Sequence, residues 1–581
     1  MRDGVKLYTQ IFEPVGRDAS SPILLTRTPY DVGAMPRRVD PSRLGPSPLF
    51  ADAGYVFVSQ DVRGRFRSEG DWKTLRPPRL DPTDPSAVDE TTDASDTIDW
   101  LLEHVPGHNG RVGMWGISYD AWQTVMAMVD AHPALVAVSP QASPADMYVG
   151  DDIHHNGAFR LSYTFAWHAF MAARGGNADP ALIRPALQAD AYEFFLAFSS
   201  LQELEQRFFQ GRVPDWDDLI VHADYDEYWQ RRNVLHLLDD VRPAVLHVAG
   251  WFDAEDFRGP IDLYHRVESS DDQDRNYLVV GPWKHGGWNV QTGETGESLG
   301  DLDFGSATSE TYRDQVELPF FEHWLRDDAD PLLPEVMAFE TGGNTWHELD
   351  QWPPESIARR PLYLRVDGAA SFEAPGAGEG HSEFLSDPSD PVPYTADGPV
   401  FPKPDYMVED QRFLEGRADV LSFVTEPLAE DLVIAGRIGV RLHFSTTGTD
   451  ADWIVKLIDV HPEDSEELSP ATGRPLAGAR MILSGEVFRA RYRDSFEDPS
   501  PLEPGRVTEL DFVLPDRMHR FRAGHRIMVQ VHSTWFPLYD RNPQTYTDIY
   551  RVNAADLESA THRVFHRDDA ASRLSLPVFP R

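Results

Sequence analysis

The sequence predicts an α/β protein with a second, all-β region, because the hydrophobic pattern of its 581 residues changes along the chain. Over 1–142 and 243–349, β-branched runs alternate with helical patterns, which is typical of βαβ units on a parallel sheet. Over 143–242 apolar residues recur at helical spacing, with no convincing strand. Over 350–581 short alternating strands are separated by Gly, Pro and Asp turns. We therefore expect an α/β core, an inserted helical cap at 143–242 and a carboxy-terminal β-sandwich of jelly-roll type, in line with the usual domain size of roughly 50 to 250 residues.

Individual elements are predicted from local periodicity. In the core, the clearest strands are expected at 23–27, 55–59, 244–249 and 276–280, and helices at 92–104 and 312–325. In the cap, the clearest helical spacing covers 186–208. In the sandwich, strands are expected at 431–434, 440–444, 453–458 and 526–531, and 367–405 is expected to be an ordered loop.

The charge balance limits the partners of this chain. Ninety-five acidic residues against 53 basic ones give a formal charge of −42, and five of the basic residues are Lys. Such a surface repels nucleic acid and anionic membranes, so neither is expected as a partner. The acidity is explained by a solvated surface or by adaptation to high salt; activity in molar salt would separate the two.

Cysteine and apolar runs add further bounds. The chain has no Cys, which excludes disulfides, thiolate nucleophiles and Cys-type zinc sites. It also has no apolar run of about 18 to 20 residues, and its first residues contain no signal-peptide h-region. We expect a soluble chain without a signal peptide in the sequence given, in a compartment that the sequence does not reveal. No cofactor or metal is predicted.

Three strand-end motifs carry the catalytic hypothesis. Gly-Ile-Ser-Tyr-Asp places Ser118 after an apolar strand and before a buried helix, although the usual second Gly is replaced by Asp120 and Ala121. Gly-Trp-Phe-Asp places Asp253 after the next strand, and Gly-Pro-Trp-Lys-His places His285 after another. The order Ser, Asp, His is that of an α/β-hydrolase triad, with a serine nucleophile, a histidine base and an aspartate that orients it. The backbone N–H of Tyr119 is the expected oxyanion donor from the turn.

The turn after 244–249 is unusually acidic. Asp253, Glu255 and Asp256 place three carboxylates within four residues. Repulsion between them disfavours a casual turn, although solvated surface charge is an alternative for Glu255 and Asp256. We interpret the cluster as the site of a positively charged ligand.

Motifs along nearly the whole chain resemble the superfamily of cocaine esterase and Xaa-Pro dipeptidyl-peptidases, within which the α-amino acid ester hydrolases, or β-lactam antibiotic acylases, are most similar. The resemblance is carried by Arg-Thr-Pro-Tyr (27–30), Gln-Asp-Val-Arg-Gly (60–64), Ser-Glu-Gly (68–70), the three motifs above and Phe-Pro-Leu-Tyr-Asp-Arg-Asn (536–542). It implies that Tyr30 is the second oxyanion donor. It also implies that Asp152, Glu255 and Asp256 hold the α-ammonium group of the substrate, with Asp152 selected by its 34-residue spacing from Ser118.

The resemblance implies acyl transfer from an α-amino acid ester to water or to the amine of a β-lactam nucleus, through an acyl-enzyme. Two departures from the family pattern are visible. Asp120 and Ala121 stand where close relatives have Glu-Gly, which places the rate, not the reaction class, in doubt. An amino-terminal extension that helps relatives to assemble a tetramer is missing, so both a monomer and a homo-oligomer stay open.

Other functions compete with this hypothesis. A general carboxylesterase of the cocaine esterase type would share the triad but would not need the three carboxylates. An Xaa-Pro dipeptidyl-peptidase would need a free amine, but the chain is short for that group. An inert binding module would use only the sandwich, and labelling of Ser118 by a fluorophosphonate would exclude it.

Overall fold

The first part of the chain builds half of a central sheet. The structure is a computed structural model that describes residues 1–15, 20–34, 44–79, 84, 86–326 and 331–580. Its first elements in chain order are β1 Thr9–Phe12, β2 Ser21–Thr28, α1 Pro48–Asp52, β3 Val56–Asp61, α2 Glu90–His104, β4 His108–Ile117, α3 Tyr119–Met128 and β5 Leu135–Gln141. Helix α2 begins at a capping box in which the Asp89 side chain accepts from the Thr92 N–H at 3.0 Å.

The next segment is mostly helical. A two-stranded hairpin, β6 His154–His155 and β7 Ala158–Phe159, precedes α4 Leu161–Gly175, α5 Pro180–Leu187, α6 Ala191–Leu196, α7 Leu201–Leu204, α8 Pro214–Val221 and α9 Glu227–Gln230. Phe165 of α4, Phe195 and Phe209 are fully buried and pack edge to face or tilted against one another, so these short helices share an aromatic core.

The chain then returns to the sheet. The elements are β8 Ala244–Gly250, α10 Arg258–Glu268, β9 Asn276–Gly281, the hairpin β10 Ser298–Leu299 and β11 Leu302–Asp303, α11 Thr308–Tyr312, α12 Leu318–Arg326, β12 Val336–Glu340 and β13 Thr345–Leu349. In the described residues the sheet order is β1-β3-β2-β4-β5-β8-β9-β12-β13. All neighbours pair in parallel except the two edge strands, β1 and β13. The carboxyl ends of β4, β8 and β9 therefore lie at one edge, which brings their loops together.

The remaining chain forms two antiparallel sheets. Its strands are β14 Ala358–Leu364, β15 Ala370–Ser371, β16 His381–Ser386, β17 Leu421–Val424, β18 Leu432–Thr446, β19 Asp452–Val460, β20 Arg480–Arg489, β21 Thr508–Phe521, β22 Arg526–His532, β23 Ala560–Arg567, β24 Ala570–Ala571 and β25 Arg573–Val578. One sheet runs β15-β14-β25-β18-β23-β16, with β21 on β18 and β24 on β23, and the other runs β17-β22-β19-β20. The predicted fold class, an α/β core with a carboxy-terminal all-β region, is confirmed.

A shared apolar cluster joins the all-β region to the loop after β8. Trp251 and Phe252 of that loop are buried in one cluster with Ile454, Ile458 and Trp535 of the all-β region. The indole N–H of Trp251 also donates to the Phe339 carbonyl of β12. The acidic turn is thus anchored by the two aromatic residues that precede it.

The structure corrects several local expectations. The segment 143–242 does contain two short strands, β6 and β7, and the expected loop 367–405 contains β15 and β16. The helical run expected at 186–208 is divided among the end of α5, α6, α7 and a π-helical turn. The run expected at 312–325 is continuous helix from Thr308 to Arg326, with a π-helical turn at Arg313–Glu317. The strands expected at 431–434 and 440–444 are one strand, β18. Its pairing with β21 continues through a register shift between Gly436 and Ile438. Gly436 has φ 117°, a conformation open to glycine, so the strand bends there instead of ending.

Candidate active site

Ser118 lies on a strained turn between β4 and α3. Its φ of 64° and ψ of −128° are unusual for a non-glycine residue, and its N–H donates to the carbonyls of Gln141 and Ala142 at 3.0 and 3.1 Å. A Cβ added at Gly116 would lie 2.4 Å from the backbone carbon and oxygen of Asp120. The close approach explains the glycine before the nucleophile, and the strain is that of a nucleophile elbow.

The loops after β8 and β9 are joined by backbone hydrogen bonds. Trp251 N–H donates to Gly281 O at 2.8 Å, and Phe252 N–H donates to Trp283 O at 3.0 Å. A Cβ at Gly250 would lie 2.3 Å from Trp283 O, so the two loops meet only because this residue is glycine. This contact fixes the segments that carry Asp253 and His285.

Asp253 and His285 form a hydrogen-bonded pair. His285 Nδ1 donates to Asp253 at 3.0 Å to Oδ1 and 2.9 Å to Oδ2. Asp253 Oδ1 also accepts from the N–H groups of Glu255 and Asp256 at 2.8 and 3.1 Å. The carboxylate is 2% exposed. It is therefore held in place by its own turn and can orient the imidazole through Nδ1.

His285 Nε2 has a second acidic neighbour. Glu255 Oε2 lies 3.6 Å from it, whereas Ser118 Oγ makes no hydrogen bond to any described residue. Burial lowers the pKa of His285, but the charges of Asp253 and Glu255 outweigh that effect and raise the pKa to about 10.

Tyr30 has the hydrogen-bonding pattern of an oxyanion donor. Its hydroxyl oxygen accepts from the Trp167 indole N–H at 3.1 Å, which leaves its own O–H available. Burial raises the pKa of the Tyr30 phenol, so it stays protonated. Tyr119 is the first residue of α3, where a backbone N–H has no partner within the helix. Both predicted donors are thus free to act on an oxyanion.

The residues that precede Tyr30 belong to a buried ionic network. Arg27 is fully buried and donates to Gln60, Gln123 and Glu90 at 3.0, 2.9 and 3.0 Å. Arg63 pairs with Asp93 at 2.6 Å and so ties the end of β3 to α2. These contacts explain the 27–30 and 60–64 motifs as structural supports of the strand ends beside the site.

The predicted ammonium-binding carboxylates are short of partners. Asp256 is fully buried and neither of its carboxylate oxygens has a hydrogen-bond partner; Oδ1 of Asp152 is likewise buried and unpartnered. Burial and the nearby Asp152 charge raise the pKa of Asp256 well above its usual value, and burial raises that of Glu255. Buried, unpaired carboxylates of this kind are costly in the absence of a cation.

Asp151, the neighbour of Asp152, has a different role. Its Oδ2 accepts from the N–H groups of Ala145 and Asp146 at 2.9 and 3.0 Å, and its Oδ1 accepts from Gly259 N–H at 2.9 Å. Its oxygens are occupied by backbone, whereas Asp152 lines a small cavity with Tyr163 and Trp167. This difference supports Asp152 as the carboxylate available to a ligand.

Three residues of the site escaped sequence reasoning, and all lie on or beside α4. Arg160 donates to the carbonyls of Ala254 and Glu255, at 3.0 Å to the latter. The Tyr163 hydroxyl donates to Glu255 Oε2 at 3.1 Å, and Trp167 is the partner of Tyr30. Their spacing of i, i+3 and i+7 places them on one helical face. That polar and aromatic face was the available signal.

The small cavity beside Asp152 has mostly apolar walls. Besides Asp152, Tyr163 and Trp167 it is lined by Thr74, Leu75, Tyr119, Ile153, Thr164 and His168. Tyr119 follows the nucleophile directly, so the cavity adjoins the position of an acyl group on Ser118. Mostly apolar walls with few polar groups are typical of small-molecule sites.

Two further features of the described residues bear on ligands. Asp459, His461 and His525 have potential metal-ligating atoms within 4.8 Å of one another, in the all-β region. His525 Nδ1 already hydrogen-bonds Asp459 at 2.9 Å. In the described part of the chain, no helix is both long and apolar enough to cross a bilayer.

Replacing Asp256 by asparagine should stabilise the protein. The pKa of Asp256 is raised in the folded state, whereas in the unfolded chain it is near 4. As the pH rises above that lower value, ionisation favours the unfolded state, so the carboxyl lowers the free energy of unfolding. The neutral amide avoids that cost, and we expect a gain on the order of 2 kcal/mol at pH 8, seen as a higher Tm and smaller at pH 5.5. Thermal unfolding at both pH values measures it.

Asp262→Asn is the matched control. Asp262 is paired with Arg258 at 3.0 Å and with Arg437, so this substitution should lower Tm. An equal loss of stability in both variants would contradict the view that the buried Asp256 carboxyl destabilises the folded protein.

A parallel-sheet core with a serine on a strained strand-to-helix turn, and a His–Asp pair on later strand ends, defines a serine hydrolase of the α/β-hydrolase class. The comparisons with known proteins agree. Residues 3–287 match the X-Pro dipeptidyl-peptidase (S15) family, and residues 330–575 match the X-Pro dipeptidyl-peptidase C-terminal non-catalytic domain. The cocaine esterase of Rhodococcus sp. (strain MB1 Bresler) is 31% identical over all of this chain and 97% of that protein. The chain belongs to this family of cocaine esterase and X-Pro dipeptidyl-peptidase serine hydrolases.

Two solved structures are similar over the full length. One is an α-amino acid ester hydrolase, with 40% identity, a TM-score of 0.92 and coverage of 100% of this chain and 95% of that one. The other is an aminopeptidase from the marine sediment archaeon Thaumarchaeota archaeon, with 36% identity, the same TM-score and the same coverage. The chain is thus an esterase or hydrolase by family.

Proposed function

We propose that this enzyme hydrolyses esters, and β-lactam amides, of α-amino acids whose α-amine is free, and that it also transfers the acyl group to the amine of a β-lactam nucleus. The observation that supports the proposal is the set of carboxylates Asp152, Glu255 and Asp256, which lie beside the His–Asp pair and form no ion pair with a Lys or Arg among the described residues. A compact ammonium group supplies the missing charge and hydrogen-bond donors. The similarity to an α-amino acid ester hydrolase supports the same function.

The proposed mechanism assigns a role to each of these side chains. Ser118 attacks the ester carbonyl, and His285 takes its proton while Asp253 orients the ring. Tyr30 O–H and Tyr119 N–H stabilise the oxyanion, and the alcohol leaves with the proton from His285. Water or an amine, deprotonated by His285, then attacks the acyl-enzyme, and His285 returns that proton to Ser118 Oγ as the acyl group leaves.

A second candidate is aminopeptidase activity. A peptide amino terminus presents the same ammonium group next to the scissile carbonyl, and one similar structure is an aminopeptidase. Comparing alanine p-nitroanilide with alanine methyl ester would separate the two functions. A much higher kcat/KM for the anilide would favour the aminopeptidase.

The proposal is tested by two esters that differ only in the α-amine. We expect kcat/KM for phenylglycine methyl ester to exceed that for phenylacetic acid methyl ester at least tenfold at pH 7, because only the first fills the carboxylate cluster. Including a β-lactam nucleus with a free amine should divert part of the acyl group into an amide product. Equal rates on both esters would instead make the protein a general carboxylesterase, like its cocaine esterase relative.

A further inference from the structure

Glu255 contacts the atom on which catalysis depends. Its Oε2 lies 3.6 Å from His285 Nε2, the nitrogen that must take the proton of Ser118. The same oxygen accepts from the Tyr163 hydroxyl at 3.1 Å, and Arg160 holds the Glu255 backbone carbonyl at 3.0 Å. The carboxylate is therefore held near the imidazole by two residues of the inserted segment, in addition to its own turn.

The surroundings of His285 are strongly negative. The charged groups that face it are Asp253, Glu255 and Asp152, and Asp256 adds a fourth carboxyl beside them. In the described part of the chain, no Lys or Arg forms an ion pair with any of these four carboxyls, and the guanidinium of Arg160 is directed to backbone carbonyls. Among the described residues, a protonated imidazole is the side-chain cation in direct contact with these carboxyls, whereas Arg160 acts on Asp152 only at longer range.

We infer that Glu255 and Asp253 hold His285 as an imidazolium in the ligand-free enzyme, and that the ammonium group of the substrate replaces this cation and so releases the base for catalysis. The inference rests on the proposed function, because it assigns a second role to the ammonium site. The proton on Nε2 leaves to solvent when the ammonium group enters. The neutral Nε2 then accepts the Ser118 proton as the Oγ–acyl bond forms.

The coupling is reciprocal. An ammonium group beside Glu255 lowers the affinity of His285 for its proton, and the imidazolium lowers the affinity of the site for ammonium by the same factor. The raised pKa of His285, about 10, has the direction that this coupling requires. Because each pKa unit above the assay pH reduces the active fraction tenfold, esters without an amine meet a mostly inactive base at neutral pH. Selection for the amine then acts on the catalytic step as well as on binding.

The pH profile of kcat/KM for phenylacetic acid methyl ester tests the inference, since this ester cannot fill the ammonium site. In the wild type, kcat/KM should rise as His285 loses its proton, and we expect this rising limb of the profile well above pH 7. Glu255→Gln should move this limb to lower pH and raise kcat/KM at pH 7 at least threefold, while raising KM for phenylglycine methyl ester. Loss of a merely structural residue would lower both activities without moving the limb.

Glu103→Gln is the matched control. Glu103 lies on α2 with a side chain 79% exposed, so the substitution removes one charge from the surface and should leave the limb unchanged. If Glu255→Gln raises KM for the amino ester but leaves the plain-ester limb in place, the inference is wrong and the proposed function stands. If neither ester responds, the proposed function is contradicted as well.

Proton release gives a second readout that does not need turnover. Calorimetric titration of Ser118→Ala with phenylglycine methyl ester at pH 7, in buffers of different ionisation enthalpy, should show release of about one proton per ligand bound. Binding without proton release would overturn the inference, because it would mean that the imidazole is already neutral in the free site.

Discussion

Ser118→Ala should lower kcat on both amino and plain esters by about 10⁴- to 10⁶-fold, the range found when a triad nucleophile is removed. The strained φ of Ser118 and the close approach of Gly116 to Asp120 place the side chain at the tip of its turn. Alanine keeps that backbone and removes only the nucleophile. Initial rates of ester hydrolysis measure the loss, and a fluorophosphonate should no longer label the protein.

Ser269→Ala serves as control for that experiment. Ser269 is exposed at the end of α10, so its removal should change neither the rate nor the labelling. Covalent labelling that persists in Ser118→Ala would place the nucleophile elsewhere and would remove the basis of the proposed mechanism.

Tyr30→Phe should lower kcat by about 10²- to 10³-fold with little change in KM, as expected for the loss of one oxyanion donor. The phenol oxygen already accepts from Trp167, so its own proton is the one available to the oxyanion. Phenylalanine keeps the ring and removes only that donor. Steady-state kinetics on phenylglycine methyl ester separate the effects on kcat and KM.

Trp167→Phe is the informative companion variant. It removes the hydrogen bond that orients the phenol but leaves the Tyr30 O–H in place, so its loss in kcat should be clearly smaller than that of Tyr30→Phe. A larger loss in Trp167→Phe, or a change confined to KM in Tyr30→Phe, would argue that Tyr30 packs against the substrate and does not donate to the oxyanion.

The fold class was predictable because strands of a parallel sheet are buried on both faces, and such strands appear in the sequence as nearly continuous apolar runs. The run at 244–249 coincides with β8, which is buried along its whole length. Local breaks were less predictable. The sequence predicts separate strands at 431–434 and 440–444, but Gly436 bends a single strand between them, and a glycine with positive φ fits either case.

The residues of the candidate site differ in how far the sequence alone predicts them. Ser118, Asp253 and His285 each follow a strand, so chain order and strand-turn chemistry were enough to propose them. Tyr30 and Asp152 came only from family resemblance, because Thr-Pro-Tyr and Gly-Asp-Asp have many structural uses. The structure places Asp253 against His285 and leaves Oδ1 of Asp152 unpartnered, which agrees with the roles proposed for them.

Arg160 and Tyr163 show what a single sequence cannot reveal. Their contacts with Glu255 join segments more than 90 residues apart, and no local pattern relates those segments. Only the helical face shared with Trp167 hinted at them, and buried helical faces are usually core. Tertiary contacts of this kind become visible only when the inserted segment is docked on the sheet.

The carboxylate cluster is assembled from two separate stretches of the chain, and this division has an evolutionary consequence. Asp152 comes from the segment between β5 and β8, together with Arg160 and Tyr163, which contact Glu255, whereas Glu255 and Asp256 lie in the turn of Asp253 after β8. Substitutions in one short stretch could therefore redirect such an enzyme from amino to plain esters and leave the bond-breaking groups untouched. A single ancestral hydrolase could diversify in this way, with its choice of substrate inherited separately from its chemistry.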